Sequence, residues 1–179
     1  MPNINRMGTV YVETGNPDTV NSAALYAAGE LGVAYDWVDR AYQVVKLDSG
    51  ATAAAGVLPA ANQLLYWHNR SQYIVTNALN AAQGGLAAAR NEVAGILRNA
   101  ATAGYYIHML IRGRNIPILQ TDGAAGMAIG DWVIGHATTT AQVTHTNIAT
   151  PPVTKAVGTA ASIGTATLVN VDVDLTNIP

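Results

Sequence analysis

The spacing of apolar residues changes near residue 42. Ahead of it, Val20, Ala24, Ala27 and Leu31 recur at helical intervals. Asn16-Pro17-Asp18 supplies a helix start, with Pro17 at the first helical position, where its missing N–H costs no bond. Gly29 and Gly32 weaken the end of that helix, and residues 1–15 read as an extended arm. Beyond Ala41 the pattern is that of strands. Tyr42-Gln43-Val44-Val45-Lys46-Leu47 is a short β-rich run stopped by the turn residues Asp48-Ser49-Gly50. Residues 64–67 and 73–76 flank His68-Asn69-Arg70-Ser71 and predict a hairpin. Tyr105, Ile107, Met109 and Ile111 alternate with Tyr106, His108 and Leu110, which predicts a strand buried on both faces and closed by Gly113. Residues 116–120 contain Pro117, which suits an edge strand. Trp132-Val133-Ile134 reads as a further strand. In the last strand Val169, Val171, Val173 and Leu175 face one way and Asn170, Asp172 and Asp174 the other. That charged outer face suits a protected sheet edge. The Thr-rich segment 138–152, ending in Pro151-Pro152, reads as an exposed loop or partly extended ribbon.

Residues 86–101 admit two readings. Leu86, Ala89, Val93, Ile96, Leu97 and Ala100 form a helical stripe, and propensity favours a helix. The competing reading is a helical turn over 86–90 followed by a strand over 93–97. Pattern alone leans to the helix. The expected organisation is an arm and one short helix over 1–41, then a β-domain over 42–179.

Composition narrows the function. Only 11% of the 179 residues are charged, against about 25% in an ordinary soluble domain. A surface of Ala, Thr, Asn and Gly repels its own copies weakly, which suits packing against sister subunits or a larger scaffold. The plain alternative is a neutral secreted domain. Net charge is −2 with no basic block, and Arg112-Gly113-Arg114 is too short for a phosphate-binding footprint, so no nucleic-acid partner is expected. There are no cysteines, hence no disulfide or thiolate chemistry. Met1-Pro2-Asn3-Ile4-Asn5-Arg6 lacks the layout of a signal peptide, and no apolar run approaches a membrane span. The expectation is a product made in the cytoplasm, without membrane contact.

Candidate chemistry is sparse, and no catalytic, cofactor-binding or metal-binding residue is assigned. Ser22, Ser49, Ser71 and Ser162 sit in no Gly-x-Ser-x-Gly frame. Gly123, Gly126 and Gly130 have neither P-loop nor dinucleotide-loop spacing. His68, His108, His136 and His145 include no pair at i, i+2 or i, i+4, although distant histidines can converge, with Asp122 or Asp131 completing a site. Asp172 and Asp174, about 7 Å apart on one strand face, have the chemistry for a cation or glycoside site but read as a solvated edge. Asn69-Arg70-Ser71 matches a glycosylation acceptor and reads as a turn. Tyr66-Trp67 and Tyr105-Tyr106 offer a stacking platform for a sugar or base. Adjacent strand aromatics more often place one in the core and one at a rim or interface.

Several phrases taken in order resemble one family. Asp39-Arg40-Ala41-Tyr42-Gln43-Val44-Val45-Lys46-Leu47 resembles the opening strand of the decoration (cement) proteins of tailed-bacteriophage capsids. Val93-Ala94-Gly95-Ile96-Leu97, then Asn99-Ala100-Ala101-Thr102-Ala103-Gly104-Tyr105-Tyr106, resembles their core hairpin. Ile129-Gly130-Asp131-Trp132-Val133 resembles their Gly-Asp-x-Val turn, and Lys155-Ala156-Val157-Gly158-Thr159-Ala160 their closing strand. The match covers residues 39–175. It implies a mainly β chain, a small β-barrel of the β-tulip kind with an N-terminal arm and one short helix. It selects the strand over 93–97. It also implies a homotrimer bound to the major capsid protein on the outer surface of the virion, with a mechanical role, no enzymatic activity and no cofactor. A head-fibre base, another minor head protein and a glycan-binding β module are the alternatives. Within the resemblance Gly95 suggests a bulge or barrel corner, and Asp131 can bond the backbone of its own turn.

Overall fold

The computed structural model describes residues 33–35, 40–50, 59–85, 88–122, 126–139, 141–163 and 167–175. The expected arm over 1–15 and the helix opening at Asn16-Pro17-Asp18 lie outside the described residues. Among these there are ten strands: β1 (Val33–Tyr35), β2 (Ala41–Leu47), β3 (Gln63–Asn69), β4 (Ile74–Thr76), β5 (Val93–Leu97), β6 (Tyr106–Leu119), β7 (Trp132–Gly135), β8 (Val143–Thr146), β9 (Ala156–Ala160) and β10 (Leu168–Asp174).

The chain is mainly β, and five of these strands close on themselves. β2 pairs in parallel with β4 and antiparallel with β6, β3 bridges β4 and β5, and β5 returns to β6. The ring β2–β4–β3–β5–β6 is a small closed barrel, the architecture that the resemblance implies. Closure leaves these strands no free ladder along their paired lengths. The register shows which residues line it. Gln43, Met109, Leu97 and Gln63 are successive cross-strand partners, so they share one face. Leu47, Val75 and Trp67 continue that face, and all seven are buried. On the opposite face Val44, Lys46, Tyr106 and His108 are only partly covered, which identifies the first face as the interior. Part of the outer wall is buried as well: Tyr42, Leu110, Ile96 and Leu64 are cross-strand partners there.

The cover for Leu64 comes from a second array built on the same long strand. β6 runs for 14 residues, and its second half leaves β2 and pairs with β10. From β10 the order continues through β9 and β7 to β8. A parallel bridge between Gln120 and Val143 brings β8 back to the end of β6. The ends of β7 and β8 nearest the barrel lie against β3. The Leu64 N–H donates to the Ala141 carbonyl at 2.9 Å, and Leu64 and Tyr66 fill the space beside the Gly135 α-carbon. Arg90 Nε donates to the Gly135 carbonyl at 2.9 Å. Inside the second array Ile116, Ile118, Val169, Val171, Val173, Val157, Val133 and Val143 are buried and belong to the same apolar cluster as the barrel.

Three expectations are corrected. Gly113 does not close a strand, because β6 continues to Leu119, so residues 116–120 form no separate strand. Pro117 still has a ladder partner on one side only, Asn170, because the β2 pairing stops at Arg112. β10 is not an edge, since β6 and β9 flank it. The strand expected over 93–97 forms, as Val93–Leu97, after a 3-10 turn at Ala89–Asn91. All five residues of β5 are buried, so it needs apolar side chains on both faces, and that run overlaps a helical stripe. Gly95 lies where β5 crosses β6. An added methyl there would meet the Met109 side chain and come within 2.7 Å of the Leu110 carbonyl oxygen. The hairpin around residues 68–71 forms as expected, with a 3-10 turn at Arg70–Gln72 capped by Asn69.

Candidate functional site

The second array places one histidine between two carboxylates. Val173, Gly158, Val133 and His145 are successive cross-strand partners, so His145 on β8 faces the buried side of the array. Its Nδ1 lies 2.9 Å from Asp122 Oδ2 and its Nε2 3.9 Å from Asp131 Oδ2. Asp122 follows the bridge at Gln120, and Asp131 immediately precedes β7, so chain connectivity brings both to the end of β8.

Each carboxylate is also bonded elsewhere. Thr144 Oγ1 donates to Asp122 Oδ1 at 2.9 Å, and Thr121 Oγ1 reaches it at 3.4 Å. The Ala128 N–H donates to Asp131 Oδ2 at 2.9 Å, the local turn bond the sequence anticipates. The Ile148 N–H donates to Asp131 Oδ1 at 3.2 Å, a bond across 17 positions. The Asp131 backbone is held as well: the Ala160 N–H donates to its carbonyl at 2.8 Å, and Gly130 N–H donates to the Ala160 carbonyl at 2.8 Å. The cluster therefore ties three connections together, at residues 121–122, 128–131 and 146–148.

An Asp–His pair supplies two members of a nucleophile-activating triad, and among the described residues no hydroxyl is placed on the imidazole as the third. The imidazole Nε2 faces a carboxylate rather than a hydroxyl, and the nearby threonine hydroxyls donate to Asp122 instead of His145. Among the described residues no group of three or more His, Cys, Asp or Glu is arranged to hold a metal ion. What the arrangement does is fasten connections as a clamp, Asp131 through two backbone N–H groups and Asp122 through the side chains of Thr144 and His145.

The other histidines do not join it. His68 Nδ1 lies 2.6 Å from the Ala81 carbonyl, and His136 Nδ1 accepts from the Thr139 N–H at 2.8 Å. His108 lies on the outer wall of β6. Asp172 and Asp174 are exposed and stand beside Arg112 and Arg114 across the β6–β10 ladder, where they line one shallow hollow. Asp172 Oδ1 accepts the Asn115 N–H at 2.9 Å. The solvated edge expected for these carboxylates is instead an inner strand face with arginine neighbours. Tyr66 and Trp67 are both fully buried, which corrects the expectation that one of them sits at a rim. Both β3 faces are covered, the inner by the barrel and the outer by β7. Tyr105 and Tyr106 are half-buried.

A second polar group joins the two arrays beside the turn at Ala89–Asn91. Arg70 Nη2 pairs with Glu92 Oε2 at 3.1 Å, and the Lys155 ammonium donates to the Val93 carbonyl at 3.0 Å. Burial lowers the Lys155 pKa, and the Arg70 charge lowers it further, against an opposing effect of Glu92. Sequence reasoning did not single out this group. Lys155 is one of two charged residues in the whole stretch 123–171, the other being Asp131, and that isolation was the available signal.

No protein-family model matches the chain, and no curated protein matches it either. Among the described residues no helix is long and apolar enough to cross a membrane.

Proposed function

We propose that the chain is a non-catalytic structural subunit, a decoration protein that binds the assembled head of a tailed phage as a homotrimer and braces contacts between copies of the major capsid protein. In this reading it is made in the host cytoplasm, works on the outer surface of the virion, and uses no cofactor, nucleic acid or membrane. One observation carries the reading. The polar groups with the best claim to chemistry are engaged in fastening connections: Asp131 accepts two backbone N–H groups, and Asp122 accepts from the side chains of His145 and Thr144. The closed barrel and the low charge support it further: the scaffold is stiff, and its exterior is poor in the ions that keep soluble monomers apart. Three footholds on one trimer make weak contacts cooperative, since the second and third become intramolecular. Burial of both Tyr66 and Trp67 takes the main stacking candidates from the glycan-binding alternative.

The test is co-sedimentation of the purified chain with empty phage heads lacking decoration protein, with and without residues 1–15. The full chain is expected to pellet with heads, and the truncated chain to fold but bind more weakly. Absence of co-sedimentation across heads of diverse tailed phages, together with tryptophan quenching by oligosaccharides, would replace this reading with the glycan-binding one.

A further inference from the structure

Exposed charge is confined to one place on this molecule. Among the charged residues described, only Arg112, Arg114, Asp172 and Asp174 are exposed, and every other is half-buried or buried. The four stand on adjacent strands, the arginines on β6 and the acids on β10. Cross-strand register puts Asp174 opposite Arg112. Next to that pair β6 bulges: the ladder shifts register between Val171 and Val173, and Asn115 takes φ 54°. Asp172 Oδ1 accepts the Asn115 N–H at 2.9 Å and braces the bulge. Gly113 is buried between the two arginines, where an added methyl would come within 3.0 Å of Ile116 Cδ1 and 3.1 Å of Arg40 Cγ. The chain therefore turns its bare position inward and both arginine stems outward. They border a hollow of about 170 Å³ lined by Arg112, Gly113, Arg114, Asp172, Val173 and Asp174. Among the described residues neither arginine forms an ion pair. Beside the hollow the same sheet face continues uncharged, through the half-buried pairs Asn170–Pro117 and Leu168–Leu119.

We infer that this face is the surface by which the subunit takes its register on the shell protein it braces, and that the surface it meets carries acids opposite Arg112 and Arg114 and bases opposite Asp172 and Asp174. The inference rests on the reading of the chain as a capsid-bound structural subunit and names the contact. Size and charge select the occupant. Small-molecule sites enclose about 300–1,000 Å³, and this open hollow admits no more than a side chain or two. A phosphate backbone would meet Asp172 and Asp174 together with the arginines, which disfavours nucleic acid. A second copy presenting the same face would form a two-fold pair, which the proposed trimer does not contain. A different protein surface with the reverse pattern satisfies all four charges. Arg112 and Arg114 break no internal ion pair to meet it. Opposite charges at fixed spacing set the register and speed of docking and reject surfaces with the wrong pattern. The neutral strip of Pro117, Leu119 and Leu168 supplies apolar contact beside them. Among the described residues no other exposed ion competes for the same partner.

Co-sedimentation of the full chain with empty tailed-phage heads that lack decoration protein, titrated at about 0.05 M and about 0.5 M NaCl, tests this. Wild-type binding is expected to weaken about tenfold at the higher salt. Arg112→Glu with Arg114→Glu is expected to weaken binding about tenfold or more at the lower salt, with an unchanged circular dichroism spectrum, and to flatten the salt dependence. Gln72→Glu, an acid placed on the exposed turn between β3 and β4, is expected to change neither. Heads that bind the reversed variant as well as the wild type overturn this face and leave the structural-subunit reading standing. A wild-type chain that pellets with no head overturns that reading and this contact with it. Salt-sensitive pairing of the chain alone in sedimentation velocity, abolished by the same reversal, assigns the face to a second copy and overturns the inference. If the reversed variant fails to fold, Arg112→Gln with Arg114→Gln removes the charges without adding repulsion. A loss of about threefold or more then upholds the contact, and unchanged binding overturns it.

Discussion

Replacing Tyr66 by Phe should stabilise this protein, although it removes a polar group from the centre of the fold. Tyr66 is fully buried, and its hydroxyl meets no hydrogen-bond partner. A buried hydroxyl without a partner costs about 1–3 kcal/mol by mutational measures. Deleting one oxygen leaves a void of roughly 10 Å³, worth about 0.2 kcal/mol at about 24 cal/mol per Å³. The net expectation is a gain of about 1 kcal/mol at neutral pH, or about 2–4 °C in Tm for a domain of this size. A second signature follows from burial, which raises the Tyr66 pKa far above its ordinary 10.0, opposed only in part by the Arg90 charge. The folded chain then keeps its proton above pH 10 while the unfolded chain loses it. Stability from this group is complete below pH 10 and falls as pH rises beyond it, by about 1.4 kcal/mol per unit. The Phe variant lacks that fall, so its advantage should widen from pH 9 to pH 11. Urea denaturation of both proteins at each pH, followed by circular dichroism, measures both effects. A loss of 1 kcal/mol or more at pH 7 would refute the reasoning, because it would mean that the hydroxyl is bonded, for instance to an enclosed water.

Three further outcomes follow from the packing. In Gly158→Ala the new methyl would meet the backbone oxygen of Asp172 and lie 2.8 Å from its carbonyl carbon, between two strands that cannot part without opening the array. We expect a loss of about 3 kcal/mol in denaturant unfolding, and a change within 0.5 kcal/mol would show that β9 and β10 yield there. Lys155 has a lowered folded pKa, so between that value and 10.5 the unfolded chain binds more protons than the folded one, and stability rises with pH through the window. Lys155→Met should flatten that rise in wild-type-minus-variant comparisons at pH 8 and pH 10, and a parallel pair of curves would count against it. Asp122→Ala removes the bonds to His145 and Thr144, and we expect a cost of about 1–2 kcal/mol with faster amide exchange at Ile148 than at Val45. Equal acceleration at both amides would mean that the clamp is not local.

What the sequence reveals about this fold depends on how far each interaction reaches along the chain. β10 is legible because its own alternation, Val169, Val171 and Val173 against Asn170, Asp172 and Asp174, reports a face buried by whatever lies beneath it. Its position in the sheet is not legible, since a charged outer face suits an edge as well as an inner strand with arginine neighbours. The continuation of β6 through Arg112-Gly113-Arg114 has the same cause. Those residues imitate a turn until Asp172 and Asp174 arrive from about 60 positions away and stand beside the two arginines. The pairing of Tyr66 with Trp67 misleads in the opposite direction. Adjacent residues on a strand point to opposite faces, so one of them is expected at a surface unless both faces are covered, and the covering strand β7 lies far downstream. The clamp is the extreme case, because His145 reaches Asp122 across 23 positions and no local spacing encodes that contact. From the sequence, Asp122 and Asp131 are legible only as carboxylates able to complete a site if distant histidines converge. An isolated charge in a neutral stretch must be either exposed to water or bound by something specific, and the folded chain puts Asp131 and Lys155 in the second class. With both so bound, the scarcity of charge in that stretch reflects groups that fasten backbone rather than groups left to water.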